Sequence, residues 1–364
     1  DTLSGFENVT GSGYGDTLTG SSSANAITGG AGDDSLNGGG GADTFLYSGS
    51  DTGFDSVVGG GGTDTILGTG SDDVIGLVAF NGDVESINGG LGTDTILGSA
   101  ANNVLNFAAA TLAGIELIDG GAGNDTITGS TAANTIEGAE GDDLLDGGTG
   151  TVADVFLFNG TDTGFDSILG GAGIDTILGG GLDDVIGLSQ FDAADGVESI
   201  NGGAGTNTIA GDGNANILDF SASTLANIAL IDGGLAADTI TGSAGNDVIA
   251  GGLGNDILTG GGGTDTASYF DAISGVTVDL STGTATGGAG SDTLSGFTNV
   301  IGSDYNDTLT GSSGSASFIG GLGDDLIFGG TGFNTVQGGS GDDRLIGGTT
   351  TDPLSGGAAA DTRW

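Results

Sequence analysis

Apolar residues recur at a fixed period along most of the chain. Wherever Gly opens a nine-residue unit, Asp or Asn stands at the sixth place and an apolar residue at the eighth. The unit recurs 27 times if one Ala is accepted at the sixth place. All 27 eighth positions are apolar, whereas 36% of the whole chain is. The three residues around each eighth position, often "TIT" or "TLT", predict a short strand with one inward side chain.

The order of residues within a unit predicts a turn followed by a strand. Gly at places one and two, and often four, permits backbone angles that other residues avoid, so carbonyl groups can point inward together. Two turns and two strands make a coil of 18 residues, and coils stack about 4.8 Å apart. Stacking lets the inward apolar residues form a ladder that no single repeat can bury alone. It also places the sixth residue of unit n over that of unit n+2.

A longer repeat is superimposed on the short one. Residues 42–147 resemble residues 153–260, and residues 1–22 return as 292–313. We therefore expect one continuous array over 1–364. Residues 269–286 lie outside the repeat, and "SGVTVDLSTGTATG" (274–287) predicts two ordinary strands. The C-terminal repeats, 287–364, include Pro353, which suggests a cap because Pro cannot continue a ladder.

Four further segments interrupt the period. "NFAAATLAGIELIDGG" (106–121) and "DFSASTLANIALIDGG" (219–234) form either a wider coil or a short helix, and we favour wider strands because the repeat resumes directly. "VAFNGDVESI" (78–87) and "SQFDAADGVESI" (189–200) predict longer loops. Two acidic pairs near the interruptions either bind a cation or are solvated loop carboxylates, and we favour solvation: Asp51 with Asp55, and Asp162 with Asp166.

The charge balance requires cations from outside the chain. There are 49 Asp and Glu against two Arg, with no Lys or His, and the net charge is −47. Such an excess is typical of disorder, but this chain is too apolar for a solvated tail, and a compact form must be neutralised. Nucleic acid and anionic membranes are excluded as partners because both need basic residues. No apolar run predicts membrane insertion, and the absence of Cys and His excludes disulfides and His-ligated zinc.

We call each turn between two strands of a coil a corner. Calcium is the cation that best suits the corners, where the sixth residues of stacked units are expected to meet. Stacked carboxylates repel one another unless a cation lies between them. Carboxylates with converging backbone carbonyls form an all-oxygen site, which suits calcium and its roughly six to eight ligands. Magnesium prefers a rigid octahedron and retains water, so it fits less well.

The pattern Gly-Gly-x-Gly-x-Asp-x-apolar-x resembles the calcium-binding repeat of the RTX, or hemolysin-type, family. The match is most specific over 233–268, where four units with Asp at the sixth place follow one another without interruption. The resemblance implies an all-β fold, a right-handed parallel β-roll or β-solenoid, with several calcium ions held between turns. It also implies type I secretion and folding in extracellular calcium. The sixth-position Asp residues would then be metal ligands, completed by turn carbonyls: Asp16, Asp34, Asp43, Asp64, Asp73, Asp94, Asp125, Asp143, Asp154, Asp175, Asp184, Asp238, Asp247, Asp256, Asp265, Asp292, Asp307, Asp325 and Asp343.

Some units depart from this pattern. Ala316 offers no side-chain ligand. An Asn at the sixth place keeps an oxygen but loses the charge, so we expect weaker or empty sites at Asn25, Asn103, Asn134, Asn207, Asn216 and Asn334.

The sequence predicts no catalysis, because without His, Lys or Cys few catalytic groups remain. Glu85 and Glu198 occupy equivalent places and are interpreted as loop charges rather than a glycosidase pair. Ice binding is disfavoured, because the third place is mostly Ala, Gly, Leu or Ser rather than Thr.

The favoured function is a secreted, extracellular structural protein. It would be a calcium-rigidified rod in a surface layer, an adhesin stalk or a filament, with end-to-end or lateral self-association. The alternative is a calcium-dependent folding and export module of a longer secreted enzyme or toxin.

Overall fold

The fold is a parallel β-solenoid with almost no helix. A computed structural model describes residues 7–49, 53–160, 163–349 and 351–364. The chain forms two compact units, one of residues 1–181 with 195–199 and one of residues 182–194 with 200–364. The predicted all-β β-solenoid is confirmed, while the single continuous array stays a prediction.

Short strands make up the first unit. They are β1 Asn8–Thr10, β2 Thr17–Thr19, β3 Ala26–Thr28, β4 Ser35–Gly40, β5 Thr44–Leu46, β6 Asp55–Gly61, β7 Thr65–Leu67, β8 Val74–Phe80, β9 Ser86–Asn88, β10 Thr95–Gly98, β11 Val104–Asn106, β12 Thr111–Ala113, β13 Leu117–Asp119, β14 Thr126–Thr128, β15 Thr135–Glu137, β16 Leu144–Asp146, β17 Val155–Phe158, β18 Ser167–Leu169 and β19 Thr176–Gly179.

Coils of the first unit change from two faces to three and back to two. The first face is β1-β3-β5-β7-β9-β12, and the second runs β2-β4-β6-β8 and on through β11, β14, β16 and β18. A third face starts at β8, whose residues 74–77 pair with β10 while residues 79–80 pair with β11. It continues through β13, β15, β17 and β19. The first face ends at β12, so the third face takes its place.

The second unit repeats this plan. Its strands, with β21 beginning at the border of the first unit, are β20 Val185–Leu188, β21 Ser199–Asn201, β22 Asn207–Gly211, β23 Ile217–Asp219, β24 Thr224–Ala226, β25 Ile228–Asp232, β26 Thr239–Thr241, β27 Val248–Ala250, β28 Ile257–Thr259, β29 Asp265–Ser268, β30 Val276–Asp279, β31 Thr284–Gly287, β32 Gly290–Ser295, β33 Phe297–Ile301, β34 Thr308–Thr310, β35 Ser317–Leu322, β36 Leu326–Phe328, β37 Thr335–Ser340, β38 Arg344–Ile346, β39 Leu354–Ala358 and β40 Thr362–Arg363.

An antiparallel insert interrupts one face of the second unit. One face is β20-β22-β25-β27-β29-β33-β35-β37-β39, all parallel, and the other contains β23-β26-β28 and β34-β36-β38-β40. Between these two runs, β30-β31-β32 pair antiparallel. The two strands predicted over 274–287 are therefore confirmed, and the stack resumes beyond them, since Leu258 lies beside Leu294.

The core is the predicted ladder of eighth-position residues. Of these 27 residues, 26 are buried and Leu354 is half-buried. They stack in register, as where Ile127 lies beside Leu145 and Ile327 beside Leu345. Burying one such side chain contributes about 1.5–3 kcal/mol, which each coil gains only through its neighbours.

The three-sided coils account for two of the interruptions. The predicted wider strands are confirmed, because 106–121 contains β12 and β13, 219–234 contains β24 and β25, and no helix forms in either. A stacked aromatic pair accompanies each, Phe80 with Phe107 and Phe191 with Phe220, at centroid distances of 4.8 and 5.1 Å.

The predicted loop over 78–87 is partly wrong. Its first three residues complete β8, because this strand bends to serve two faces of its coil. In the matching segment, Phe191 forms an isolated bridge to Leu218, and residues 193–195 form one 3₁₀ turn. Pro353 stands immediately before β39, and its carbonyl accepts the N–H of Val336, so the ladder continues past it.

Candidate calcium sites

The sixth-position residues form hydrogen-bonded ladders along the coil corners. The N–H of Asp238 donates to Oδ1 of Asp256 at 2.9 Å, and that of Asp247 donates to Oδ1 of Asp265 at 2.9 Å. The donor belongs to the earlier coil and the acceptor to the later one. Each carboxylate therefore links two coils before any metal is considered.

The expected stacking of units n and n+2 is confirmed where the repeats are uninterrupted, as for Asp238 and Asp256. Where an interruption supplies an extra turn, consecutive units stack instead, as for Asp43 and Asp64. Eighteen of the 19 predicted ligands are buried, and Asp16 is half-buried. The ladder bonds join Asp16 to Asp34, Asp43 to Asp64, Asp73 to Asp94, Asp125 to Asp143, Asp154 to Asp175, Asp238 to Asp256, Asp256 to Asp292, Asp247 to Asp265, Asp307 to Asp325, and Asp325 to Asp343. Asp184 instead donates to an amide oxygen, Oδ1 of Asn207.

Several acidic residues of the ladders were not predicted as ligands. Asp55 and Asp166 are buried and accept the N–H groups of Asp34 and Asp143 at 3.0 Å. The expectation that they are solvated loop carboxylates is therefore wrong. Their predicted partners, Asp51 and Asp162, lie outside the described residues.

Three glutamates and one further aspartate extend the same ladders. Oε2 of Glu85 accepts the N–H of Asp64 at 2.7 Å, and that of Glu198 accepts the N–H of Asp175 at 2.8 Å. Both side chains are exposed, as expected, but they are not merely loop charges. Glu116 and Asp361 do the same for Asp94 and Asp343. For the three glutamates the signal was an acidic residue two places before the apolar residue of a strand, but no Gly opens their turns. Asp361 has its opening residue, Gly356, but Arg363 stands where the apolar residue is expected.

A second ladder uses the fifth-position residues. Oδ1 of Asn246 accepts the N–H of Thr264 at 2.8 Å, and Oδ1 of Asp324 accepts that of Asp342 at 2.8 Å. Here the acceptor belongs to the earlier coil, so these bonds run opposite to the sixth-position ladder. They explain why Asn and Asp recur at the fifth place, which sequence reasoning left without a role.

Twelve corners leave one buried carboxylate oxygen without a hydrogen bond. We call these open corners. In every one, residue two has a positive φ, between 69° and 122°, and Oδ2 of the sixth residue has no partner among the described residues. An unsatisfied buried acceptor costs about 1–3 kcal/mol, and more when it is charged. The open corners are those of Asp34, Asp43, Asp64, Asp94, Asp125, Asp143, Asp175, Asp238, Asp256, Asp265, Asp325 and Asp343.

In several open corners the unsatisfied oxygen and a carbonyl oxygen of the next coil both lie close to the first Gly of the unit. A Cβ added to Gly320, the first residue of its unit, would overlap both Oδ2 of Asp325 and the carbonyl oxygen of Gly338. At Gly233 the added atom would lie 2.7 Å from Oδ2 of Asp238 and 2.7 Å from the carbonyl oxygen of Gly251. Two acceptor oxygens thus lie beside the same glycine α-carbon, and neither can donate a hydrogen bond to the other. That donor set suits a hard cation such as calcium, and it explains why Gly opens the unit.

Four other corners satisfy the carboxylate from within the chain. We call these closed corners, those of Asp16, Asp73, Asp247 and Asp307. Residue two is Ser or Thr, and its N–H and hydroxyl both donate to the sixth residue. At Asp247, the N–H of Ser243 lies 2.8 Å and its Oγ 3.0 Å from Oδ2.

The pKa shifts of three carboxyl groups in open corners and of one in a closed corner go in opposite directions. Burial raises the pKa of Asp125, Asp256 and Asp325 to about 7, because little around them compensates for lost solvation. In contrast, hydrogen bonds from Ser12 lower the pKa of Asp16. Within the described residues, the single ion pair joins Arg363 to Asp361 at 3.4 Å. An ionised carboxylate in an open corner therefore lacks a protein counter-charge.

A family model described as "RTX calcium-binding nonapeptide repeat (4 copies)" matches most of the chain. The matched residues are 10–45, 50–76, 81–109, 119–151, 161–190, 192–222, 232–267, 283–298, 301–336, 319–352 and 328–362. The chain belongs to the RTX calcium-binding repeat family.

Gaps in the RTX match fall where the coils change. Residues 110–118 and 223–231 include β12 and β24 of the three-sided coils, and residues 268–282 include the first strand of the antiparallel insert. No curated protein matches the chain. Among the described residues, no helix is long and apolar enough to cross a membrane.

RTX repeats bind calcium, and the corners here show what each side chain would contribute. Within the described ranges, no three His, Cys, Asp or Glu side chains converge as a metal cluster. Backbone carbonyls would therefore have to supply part of any coordination shell, as the resemblance implied. Bound calcium would supply the positive charge that the open corners lack.

Proposed function

We propose that this protein is a secreted calcium-binding structural protein, rigidified by calcium as a rod in a surface layer, an adhesin stalk or an extracellular filament. The observation that carries the proposal is that, within the described part of the chain, twelve buried Oδ2 atoms in both units have no hydrogen-bond partner. Of the 20 sixth-position Asp residues, the 19 other than Asp352 are the candidate ligands.

The distribution of these corners supports a structural role. A binding protein with one ligand concentrates its unusual groups in one place, whereas here the same unsatisfied corner recurs in successive coils. The ladder bonds hold neighbouring coils in register, so a cation at each open corner would stiffen the stack along its length. The coordination energy becomes folding energy, because the site does not exist in the unfolded chain.

Self-association is supported by the last coil. In the part of the chain that the structure describes, β39 and β40 each pair with one neighbour, β37 and β38. Where such strands end a stack, their outer edges offer backbone groups that another copy can extend. Trp364, at the same end, is 74% exposed.

Two measurements test the proposal. We expect circular dichroism to show disorder in excess chelator and β-structure in millimolar calcium, since extracellular calcium modules bind at about 10⁻⁴–10⁻³ M. We expect electron microscopy of the calcium form to show regular rods or filaments. An unchanged spectrum across the titration refutes calcium-dependent folding. Compact single particles with normal calcium-dependent folding refute the rod and favour a module of a longer protein.

A further inference from the structure

We propose that residue two of each nine-residue unit selects which corners take calcium: Gly makes a calcium corner, whereas Ser or Thr makes a corner that the chain satisfies itself and that holds none. The inference rests on the proposed calcium function and deepens it. It narrows the predicted ligand set by four residues, Asp16, Asp73, Asp247 and Asp307.

The hydrogen bonds of two consecutive units carry the first step. Asp247 and Asp256 are both buried, and both belong to the unbroken quartet of repeats. Oδ2 of Asp247 receives two donors from Ser243, so its acceptor capacity is largely used. Oδ2 of Asp256 receives none. A cation gains less at the first corner, because it would have to displace bonds that already compensate the charge.

Backbone conformation makes the choice exclusive. In open corners the N–H of residue two turns away from the sixth residue: that of Gly234 donates to Asp232 and that of Gly121 to Asp119. This needs a positive φ, which none of the four Ser or Thr residues of the closed corners adopts. A Cβ on Gly252 would also overlap the carbonyl oxygen of Gly234. A Ser at position 252 would therefore require the turn to shift.

The sequence supports the same division independently. Of 17 units with Gly at place two, 15 have Asp at the sixth place, but only five of the ten other units do. One of these five, the unit of Asp143, has Ala139 at place two with φ 69°, and it is an open corner. The negative charge is thus retained mainly where residue two leaves the carboxylate unsatisfied.

Corners with Asn at the sixth place show how the turn is hydrogen-bonded when it carries no negative charge. The N–H of Ser21 donates to Oδ1 of Asn25 at 2.6 Å, and that of Ser130 to Oδ1 of Asn134 at 2.7 Å. These amides accept the same bond as the carboxylate in a closed corner. The closed corner therefore works as a structural turn that does not depend on the charge of its sixth residue.

The test counts calcium ions bound by the full chain at saturation, by equilibrium dialysis with metal analysis. Ser243→Gly changes "GSAGND" to "GGAGND", a sequence already present at residues 120–125. We expect it to bind one more calcium per molecule, and the double variant with Ser303→Gly to bind two more. The control Ser243→Thr keeps both the N–H and the hydroxyl donor, as Thr69 does at the closed corner of Asp73, and should add none.

A second pair of variants removes the charge of one carboxylate and keeps the size of the side chain. We expect Asp256→Asn to bind one calcium fewer and Asp247→Asn to bind the wild-type number. Equal losses in the two Asn variants, or no gain in Ser243→Gly, overturn the selection by residue two while leaving calcium-dependent folding intact. A wild-type chain that binds no calcium overturns the proposed function as well, so the two failures are distinguishable.

Discussion

The corners of Asp247 and Asp256 lie nine residues apart and solve one problem in two ways. Both bury a carboxylate in a stack of coils that has almost no basic side chains. The first uses a Ser side chain and backbone N–H as donors, and the second leaves Oδ2 without a donor among the described residues. The comparison teaches that burying an acid does not by itself define a metal site. The decisive group is a residue four places earlier, which has no negative charge.

Closed and open corners also differ in whether their contribution to stability depends on the calcium concentration of the solution. A hydrogen bond to a charged group contributes about 1.5–3 kcal/mol in any buffer. A cation contributes according to its concentration. Coils with closed corners therefore carry part of their stability within the sequence, while those with open corners would gain it from calcium in the surrounding solution.

Removal of calcium should produce the largest difference between coils with open corners and coils with closed corners. As calcium is titrated out, we expect amide hydrogen exchange to quicken first in coils with consecutive open corners, such as 320–343. Coils beside Asp247 and Asp307 should keep protection to lower calcium, because donors to their carboxylates remain. Simultaneous loss of protection in both sets would contradict the division.

The stability cost of Asp256→Ala should depend on calcium concentration, whereas that of Asp247→Ala should not. In millimolar calcium, we expect Asp256→Ala to lower the free energy of unfolding by about 3 kcal/mol, since it removes both a ladder acceptor and a ligand. Near the folding midpoint this cost should shrink, because an uncompensated buried charge is also removed. The cost of Asp247→Ala, about 1–3 kcal/mol for stranded donors, should stay constant. Urea denaturation at several calcium concentrations measures both, and parallel trends would refute the contrast.

Protonation of carboxylates in open corners should partly compensate for the absence of calcium. Burial raises the pKa of Asp125, Asp256 and Asp325 to about 7, against an ordinary value of 3.8. A raised pKa means that the folded chain holds protons which the unfolded chain releases, so stability falls as pH rises from about 4 to about 7. In calcium-free buffer, we expect circular dichroism to show more β-structure at pH 5 than at pH 8. Asp256→Asn should reduce this dependence, and a flat wild-type profile would count against it.

The smallest effect is expected at Glu85. Its exposed side chain accepts one ladder bond, from Asp64, and water can replace that acceptor at modest cost. Glu85→Ala should lower the free energy of unfolding by about 1 kcal/mol, less than Asp256→Ala in millimolar calcium. Equal calcium midpoints for the two variants would show that the ladder position, rather than the open corner, determines stability.

Much of the fold follows from two positions of the repeat. The eighth-position residues predicted the core because burial needs only an apolar residue at a fixed period, and Ile127 and Ile327 lie where that period places them. The stacking of Asp238 on Asp256 followed from the coil length. The role of Glu85 was missed because a longer side chain reaches the same bond from a turn without the opening Gly. The bend in β8 was missed because it depends on how neighbouring coils widen.

The site was harder to predict than the fold. Sequence alone shows Ser243 or Gly252 as two small residues at one place of a glycine-rich turn. The difference appears in the direction of one N–H and the sign of one φ, neither of which periodicity specifies. All sixth-position Asp residues therefore looked equivalent until the donors around them were known.

The two opposed ladders make each stack polar. Towards one end a coil presents carboxylates at its sixth places, and towards the other it presents N–H groups there, with the fifth places arranged in reverse. Two copies meeting head to tail would therefore bring donors to acceptors at both positions, whereas two like ends would oppose acceptor to acceptor. Any fibre built from this chain should have subunits that all point the same way, and its two tips should grow at different rates.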